Sequence, residues 1–94
     1  MHDWTLLEIC VDWLKGSITA TFRNTKSQEV KLIAEGLVDI RIPKMEEWGR
    51  SVSVNEVRGP HKLDNGHQKL TIEMQSGDNI EIIARSIFLP QNES

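Results

Sequence analysis

Apolar and polar residues alternate along most of this chain, and this alternation constrains the fold more than any other feature of the sequence. Between residues 5 and 13, every second side chain from position 7 onward is apolar: Leu7, Ile9, Val11 and Trp13. Side chains of a β-strand point alternately to its two faces, so the pattern predicts a strand with one buried face. Strand one is therefore expected to bury these four residues.

The same alternation predicts six more strands, separated by turn residues such as Gly16, Gly36 and Pro43. The residues expected to face inward are, in chain order, Ile18, Ala20 and Phe22; Val30, Leu32 and Ala34; Val38, Ile40 and Ile42; Val52 and Val54; Leu70, Ile72 and Met74; and Ile80, Ile82 and Ala84. Ile87 and Leu89 either extend the seventh strand or begin an eighth.

Seven or eight short strands, with no helical segment of convincing length, predict an all-β protein: a small antiparallel β-sandwich or a flattened barrel. One such domain is expected over residues 1–90, followed by a flexible polar tail at 91–94. A chain of 94 residues is long enough for one hydrophobic core and too short for two. No internal repeat or linker is evident in the sequence.

The first hairpin has a predicted register. A two-residue turn at Lys15–Gly16 places Trp13 opposite Ile18, so that the apolar faces of the two strands coincide. The same register sets Glu8 opposite Arg23.

In two later connections, the number of loop residues decides whether the apolar faces of the joined strands coincide. Strands three and four are joined either by a hairpin with an odd loop at 35–37 or by a bend at Gly36 that moves the chain to another sheet. Strands six and seven need an odd loop, of three or five residues, around Ser76–Gly77–Asp78. A three-residue loop sets Glu73 opposite Glu81, which is unfavourable. Either a basic residue then intervenes, the loop has another length, or the pair binds a cation.

Composition narrows the class of partner and compartment. Hydrophobic residues make up 38% and charged residues 27% of the chain, as in ordinary globular domains. The net charge of -3 and the absence of a basic run argue against a nucleic-acid partner. No apolar run is long enough to span a membrane, and the N-terminus does not resemble a signal peptide, so we expect a cytosolic protein without a membrane partner.

The segment from Trp48 to Glu56 carries the most unusual chemistry. Val57 is out of phase with Val54, which predicts a bulge at Asn55–Glu56, and bulges often redirect side chains at functional sites. The functional interpretation is a partner-binding patch made by Trp48, Ser51, Ser53, Asn55 and Glu56. In the alternative, structural interpretation, the tryptophan plugs one end of the fold, the serines face solvent and Asn55 bonds a neighbouring backbone.

Other candidate sites are weaker. His2, His61 and His67 with Asp3 and Asp64 supply ligand types suited to zinc, but their spacing matches no compact metal motif. We therefore expect no metal or other cofactor, with a metal-binding module or small metal-dependent enzyme as the alternative.

Nucleophilic and phosphate-binding chemistry find little support. Ser51 and Ser53 lack a nucleophile elbow and a local histidine, and Gly77 precedes no helix that could bind phosphate. Cys10, the single cysteine, lies between Glu8 and Asp12, whose carboxylates oppose thiolate formation. A packed, unreactive thiol is the expectation.

Three segments resemble a group of short bacterial proteins without established activity: 2–16, beginning His-Asp-Trp-Thr-Leu-Leu; 48–56, Trp-Gly-Arg-Ser-Val-Ser-Val-Asn-Glu; and 70–78, Leu-Thr-Ile-Glu-Met-Gln-Ser-Gly-Asp. The resemblance implies a bacterial cytosolic protein and assigns no functional residue. In size and strand content the chain is also similar to immunity proteins of bacterial toxin systems. With no catalytic set in the sequence, we predict a non-enzymatic binding protein whose partner is a protein, with self-association through an edge strand as one form of it.

Overall fold

A computed structural model describes residues 1–43 and 53–90, and within them it confirms the all-β class. Six strands are present: β1 (Thr5–Asp12), β2 (Ser17–Arg23), β3 (Glu29–Arg41), β4 (Val54–Lys62), β5 (Gln68–Met74) and β6 (Asn79–Phe88). Every neighbouring pair is antiparallel, and together the strands form one sheet in the order β1-β2-β3-β6-β5-β4. Two three-stranded meanders are therefore joined side by side through β3 and β6.

The strand count differs from the predicted seven or eight because two predicted strands are one. β3 runs without a break through Gly36, which adopts a φ of +68°, and through a register shift between Leu37 and Asp39. Glycine tolerates this φ, so the strand bends and stays in the ladder. There is neither a hairpin at 35–37 nor a change of sheet. At the other end of the chain, residues 87 and 88 extend β6.

The described residues form no second sheet of the kind that a sandwich requires. Instead, the two edge strands of the single sheet approach each other at one corner. Thr5 forms an antiparallel bridge with Ser53, and the Val54 N–H donates to the Trp4 carbonyl at 2.7 Å. The curled sheet thereby encloses its own apolar face.

The two meanders are structural repeats, although none is evident in the sequence. Ala20 pairs with Leu32 across β2 and β3, and fifty positions later Leu70 pairs with Ile82 across β5 and β6. The whole register of the two hairpins agrees under this shift, and so do their turns. The Asn24 N–H donates to the Gln28 carbonyl at 2.9 Å, and the Met74 N–H donates to the Asp78 carbonyl at 2.8 Å.

The central strand pair obeys the same relation. Ala34 lies opposite Ile87, and Leu37 lies opposite Ala84, so exchanging the two repeats maps one pair onto the other. Strand pairing of this kind is what a twofold axis produces when it passes between β3 and β6, normal to the sheet. The sequence conceals the repeat because few equivalent residues are identical, among them Ile33 and Ile83 in addition to the two alanines.

The core consists of the inward residues predicted for β2, β5 and β6, together with part of β3. Phe22 at its centre is fully buried, and the ring of the buried Trp4 packs against it with centroids 6.1 Å apart. The remaining residues with almost no exposure include Ile18, Leu32, Val54, Leu70, Ile72, Met74, Ile80 and Ile82. Val38 and Ile42, also expected inside, are exposed.

Strand one departs most from its prediction. Val11 rather than Trp13 lies opposite Ile18, and residues 13–16 form the hairpin loop. Glu8 therefore faces Thr21 instead of Arg23. A register shift between Leu6 and Glu8 also buries Leu6 and leaves Leu7 exposed. Of the four residues predicted to be buried, only Ile9 packs against the core.

The β5–β6 connection has the predicted odd length. Glu73 pairs with Asn79, which leaves five residues between them. Glu73 is therefore not opposite Glu81, and each carboxylate has its own cation: Arg58 Nη1 lies 2.9 Å from Glu73 Oε1, and Lys69 Nζ lies 3.8 Å from Glu81 Oε2. Both a different loop length and basic neighbours account for the apparent like-charge pair.

Candidate functional site

The strongest candidate for a binding surface is the β1 edge, which we define as residues 7–14. β1 is the first strand in the sheet order, and from Glu8 to Asp12 it pairs with β2 in an unbroken register. Within the described part of the chain, no strand pairs with its other side beyond the bridge at Thr5. Alternate backbone N–H and C=O groups of an edge strand point away from its neighbour, where another strand can pair with them.

The side chains of the β1 edge are unusually apolar for an exposed strand. Leu7 and Val11 are exposed, and in the following loop Trp13 and Leu14 are 88% and 95% exposed. Val11 lies opposite the buried Ile18, so the apolar face of β1 continues the core face outward. Exposed apolar patches of this kind commonly mark interaction sites.

The loop that carries Trp13 is held in place by several hydrogen bonds. The Gly16 N–H, in a residue with a φ of +66°, donates to the Asp12 carbonyl at 2.8 Å, and Asp12 Oδ1 accepts from the Lys15 N–H at 3.1 Å. The Leu37 N–H of β3 donates to the Gly16 carbonyl at 2.8 Å. These bonds fix the loop backbone, so the two apolar side chains project from an ordered support.

The opposite face of β1 is acidic. Glu8 and Asp12 flank Cys10, whose thiol donates to Glu8 Oε2 at 3.3 Å. This hydrogen bond and the Glu8 charge raise the pKa of the Cys10 thiol. The prediction that carboxylates oppose thiolate formation agrees with this geometry, but the thiol is exposed rather than packed.

β4, the other edge strand, is the structural equivalent of β1 and is interrupted where β1 is regular. Its register shifts at Asn55, which confirms the predicted bulge, and shifts again between Arg58 and His61. The second irregularity contains Gly59, at a φ of +103°, and a cis peptide bond to Pro60. Bulges, proline and charged residues are the means by which proteins prevent strand addition at an edge.

Two of the predicted partner-binding residues lie at the corner where the sheet edges meet. The Gln75 N–H donates to the Ser53 carbonyl at 2.9 Å, and His2 Nδ1 lies 2.7 Å from the Asn55 carbonyl. Gln75 Nε2 also donates to Asp3 Oδ1 at 2.8 Å. Ser53 and Asn55 thus contact the N-terminal segment through their backbone atoms. The interpretation in which Asn55 bonds a neighbouring backbone stays a prediction.

The other predicted residues are not part of this corner. Glu56 is exposed, and its carboxylate lies 3.8 Å from Arg58 Nη1, which also binds Glu73. Trp48 and Ser51 lie outside the described residues. The five predicted residues therefore form no single surface that the structure describes.

The histidines do not converge on a metal site. His2 contacts Asp3, with Nε2 and Oδ1 3.4 Å apart, whereas His61 lies on β4 and His67 at the end of the β4–β5 loop. Across residues 1–43 and 53–90, no three His, Cys, Asp or Glu side chains are grouped closely enough to hold a metal ion.

Comparison with known proteins adds no relative. No family model, no curated protein and no solved structure matches this chain. The described ranges also contain no helix that is long and apolar enough to cross a membrane.

The residues that sequence reasoning missed are Trp13 and Leu14. Trp13 alternates with Val11, which predicts a continuing strand, although Asp12 is a turn signal. Aspartate is favoured at the first position of a turn because its side chain accepts a hydrogen bond from a backbone N–H two or three residues later. Asp12 does so with Lys15.

Proposed function

We propose that this protein is a non-enzymatic interaction protein that binds an extended segment of a partner protein along the β1 edge. The observation that carries the proposal is the contrast between two equivalent strands. From Glu8 to Asp12, β1 is regular and is uncovered within the described residues, whereas β4 is interrupted by two register shifts, one of them at the cis Gly59–Pro60 bond. Strand addition to an exposed sheet edge is a common mode of peptide recognition.

The chemistry of β1 determines which segment would fit. Ile9 and Val11 share one face of the strand, and Glu8 and Asp12 share the other. A partner strand lying beside β1 places its own side chains on the same two faces. The best match is an extended segment in which apolar residues alternate with lysine or arginine.

Trp13 is the expected centre of binding energy. Large aromatic residues that become desolvated are the usual hot spots of interfaces, and the hydrogen-bonded loop presents this ring on a backbone that is already ordered. Leu14 beside it extends the apolar contact beyond the end of the added strand.

The remaining predictions fit within this proposal. Binding at Trp48, Ser51, Ser53, Asn55 and Glu56 stays a prediction for a second contact surface. The resemblance to a group of short bacterial proteins predicts a cytosolic bacterial protein. The likeness to immunity proteins predicts that the partner is a toxin, which this protein would inhibit by binding one of its extended segments.

A displayed library of short random peptides provides the probe, since no partner is identified. We expect selection on the folded protein to enrich sequences that alternate basic and apolar residues. Addition of an enriched peptide should shift the backbone amide resonances of residues 7–14. Val11→Lys, which places a charge on the apolar face of the edge, and Trp13→Ala should each weaken binding at least about tenfold, as hot-spot truncations do.

The second repeat supplies matched controls. His61 and Leu63 occupy the positions of Val11 and Trp13, so His61→Lys and Leu63→Ala should leave peptide affinity unchanged. Selection that yields no such pattern, or binding that survives both β1 variants, would show that β1 is not the binding edge.

A further inference from the structure

A second apolar surface lies on the solvent-facing side of the central strand pair. Ile33, Val38, Ile83 and Phe88 form it, and we call it the outer patch. Ile33 and Ile83 each alternate with buried residues and therefore point away from the core. Phe88 lies directly opposite Ile33 and is 52% exposed, and Val38, at the register shift of β3, is 53% exposed.

The outer patch is arranged around the internal twofold axis. Ile33 and Ile83 are equivalent positions of the two repeats, and so are Val38 and Phe88. An apolar residue is therefore retained at each of the four places, although none of the four belongs to the core cluster. Apolar residues scattered on a surface need no explanation, whereas exposed apolar residues retained at equivalent positions of both repeats indicate a contact surface.

Charged residues show the opposite relation between the repeats. Wherever both equivalent positions carry a charge, the signs are reversed. The pairs are Glu8 and Arg58, Asp12 and Lys62, Arg23 and Glu73, Lys31 and Glu81, and Glu35 and Arg85.

We propose that two copies of this chain pack with their outer patches face to face, about an axis that runs along the strands between β3 and β6. Rotation about this axis lays the first repeat of one copy over the second repeat of the other. Ile33 then faces Phe88 of the second copy, and Val38 faces Ile83 of the second copy.

The charges favour the same arrangement. Near the centre of the patch, Glu35 of one copy faces Arg85 of the other, and charge complementarity of this kind favours the correct orientation and partner. A twofold dimer requires a surface that is complementary to itself. The same rotation lays β3 residues over their β6 pairing partners, so Arg41 of one copy faces Glu81 of the other. The dimer uses the sheet face and leaves the β1 edge free, so it does not depend on the proposed function.

Sedimentation equilibrium over a series of protein concentrations tests this proposal. The wild-type protein is expected to form a dimer, and Phe88→Lys and Ile33→Lys are expected to be monomers at concentrations where the wild type is dimeric. Both side chains are solvent-facing, so urea unfolding of each variant should show a folded protein. Val11→Lys and Trp13→Ala, at the β1 edge, serve as controls and should remain dimeric.

A charge exchange tests the orientation. Glu35→Lys should weaken the dimer, and adding Arg85→Glu should restore it, because the side chain at 85 keeps its aliphatic stem and the pair regains opposite signs. A wild-type protein that stays monomeric up to millimolar concentration would overturn the proposal. So would a dimer that survives both patch variants or is lost in the β1 controls.

Discussion

Arg85 lies across Gly36 at the centre of the sheet. A β-carbon added to Gly36 would come within 2.8 Å of the Cβ and Cδ atoms of Arg85, and the φ of Gly36 is +68°. Gly16 has nearly the same φ, +66°, but its nearest neighbour would be 3.9 Å away. Comparing alanine substitutions at these two glycines therefore distinguishes the cost of the positive φ from the cost of steric overlap with Arg85.

Gly36→Ala should destabilise the protein by about 3 kcal/mol, since overpacking adds to the cost of a positive φ. Gly16→Ala should cost about 1 kcal/mol, from the backbone alone. Urea unfolding of both variants measures the difference. Equal losses would show that Arg85 moves aside freely.

Two tryptophans provide a second comparison, because one is buried against Phe22 and the other projects from a loop. Trp4→Ala should lower the free energy of unfolding by about 3–5 kcal/mol. Trp13→Ala should change it by no more than about 0.5 kcal/mol. A large loss for Trp13→Ala in chemical denaturation would mean that its loop packs on the fold.

The twofold relation predicts matched responses at Ala34 and Ala84. Both are fully buried, and each faces a large aliphatic residue across the central strand pair, Ile87 and Leu37 respectively. Valine at either position should overpack the core and cost about 1–3 kcal/mol. Thermal or urea unfolding should give losses that agree within about 1 kcal/mol, and clearly unequal losses would show that the repeats do not share this environment.

Cys10 should respond to its neighbour Glu8. The Glu8 carboxylate raises the pKa of the thiol, so at neutral pH less thiolate is present than in an unperturbed cysteine. Glu8→Gln removes the charge and should lower that pKa, which speeds alkylation by iodoacetamide and moves its pH profile to lower pH. Asp12→Asn is the control because Asp12 bonds the Lys15 N–H rather than the thiol, and an equal acceleration there would contradict the assignment.

Alternation predicted three of the four interior strands well, and β3 beyond Gly36 and the edge strand β1 poorly. β2, β5 and β6 each have a neighbour on both sides, so every second side chain enters the core, as Phe22 and Ile82 do. β1 has one neighbour, and a shift at Leu7 with a loop at Trp13 removes its alternate residues from the core. The apolar periodicity of a strand does not show whether the strand lies inside the sheet or at its edge.

Other features of the fold and of the candidate site were likewise predictable only in part. The bulge at Asn55 was predictable because Val57 is out of phase with Val54, and phase is a property of the sequence. The continuity of β3 through Gly36 was not predictable. A glycine between two alternating segments permits a hairpin, a bend into another sheet or one continuous strand. The repeat was hidden for another reason: registers and turns are retained although most side chains differ.

The inequality of the two sheet edges limits how far assembly can proceed. A sheet that is open at both ends can add strands without end, as fibrils do. Here β4 is interrupted by the bulge at Asn55 and the cis Gly59–Pro60 bond, whereas β1 pairs without interruption from Glu8 to Asp12. A symmetric dimer of identical units could not differ in this way at its two ends. With two different edges in one chain, the proposed binding at β1 has a valency of one, so a bound strand terminates growth of the sheet instead of extending it.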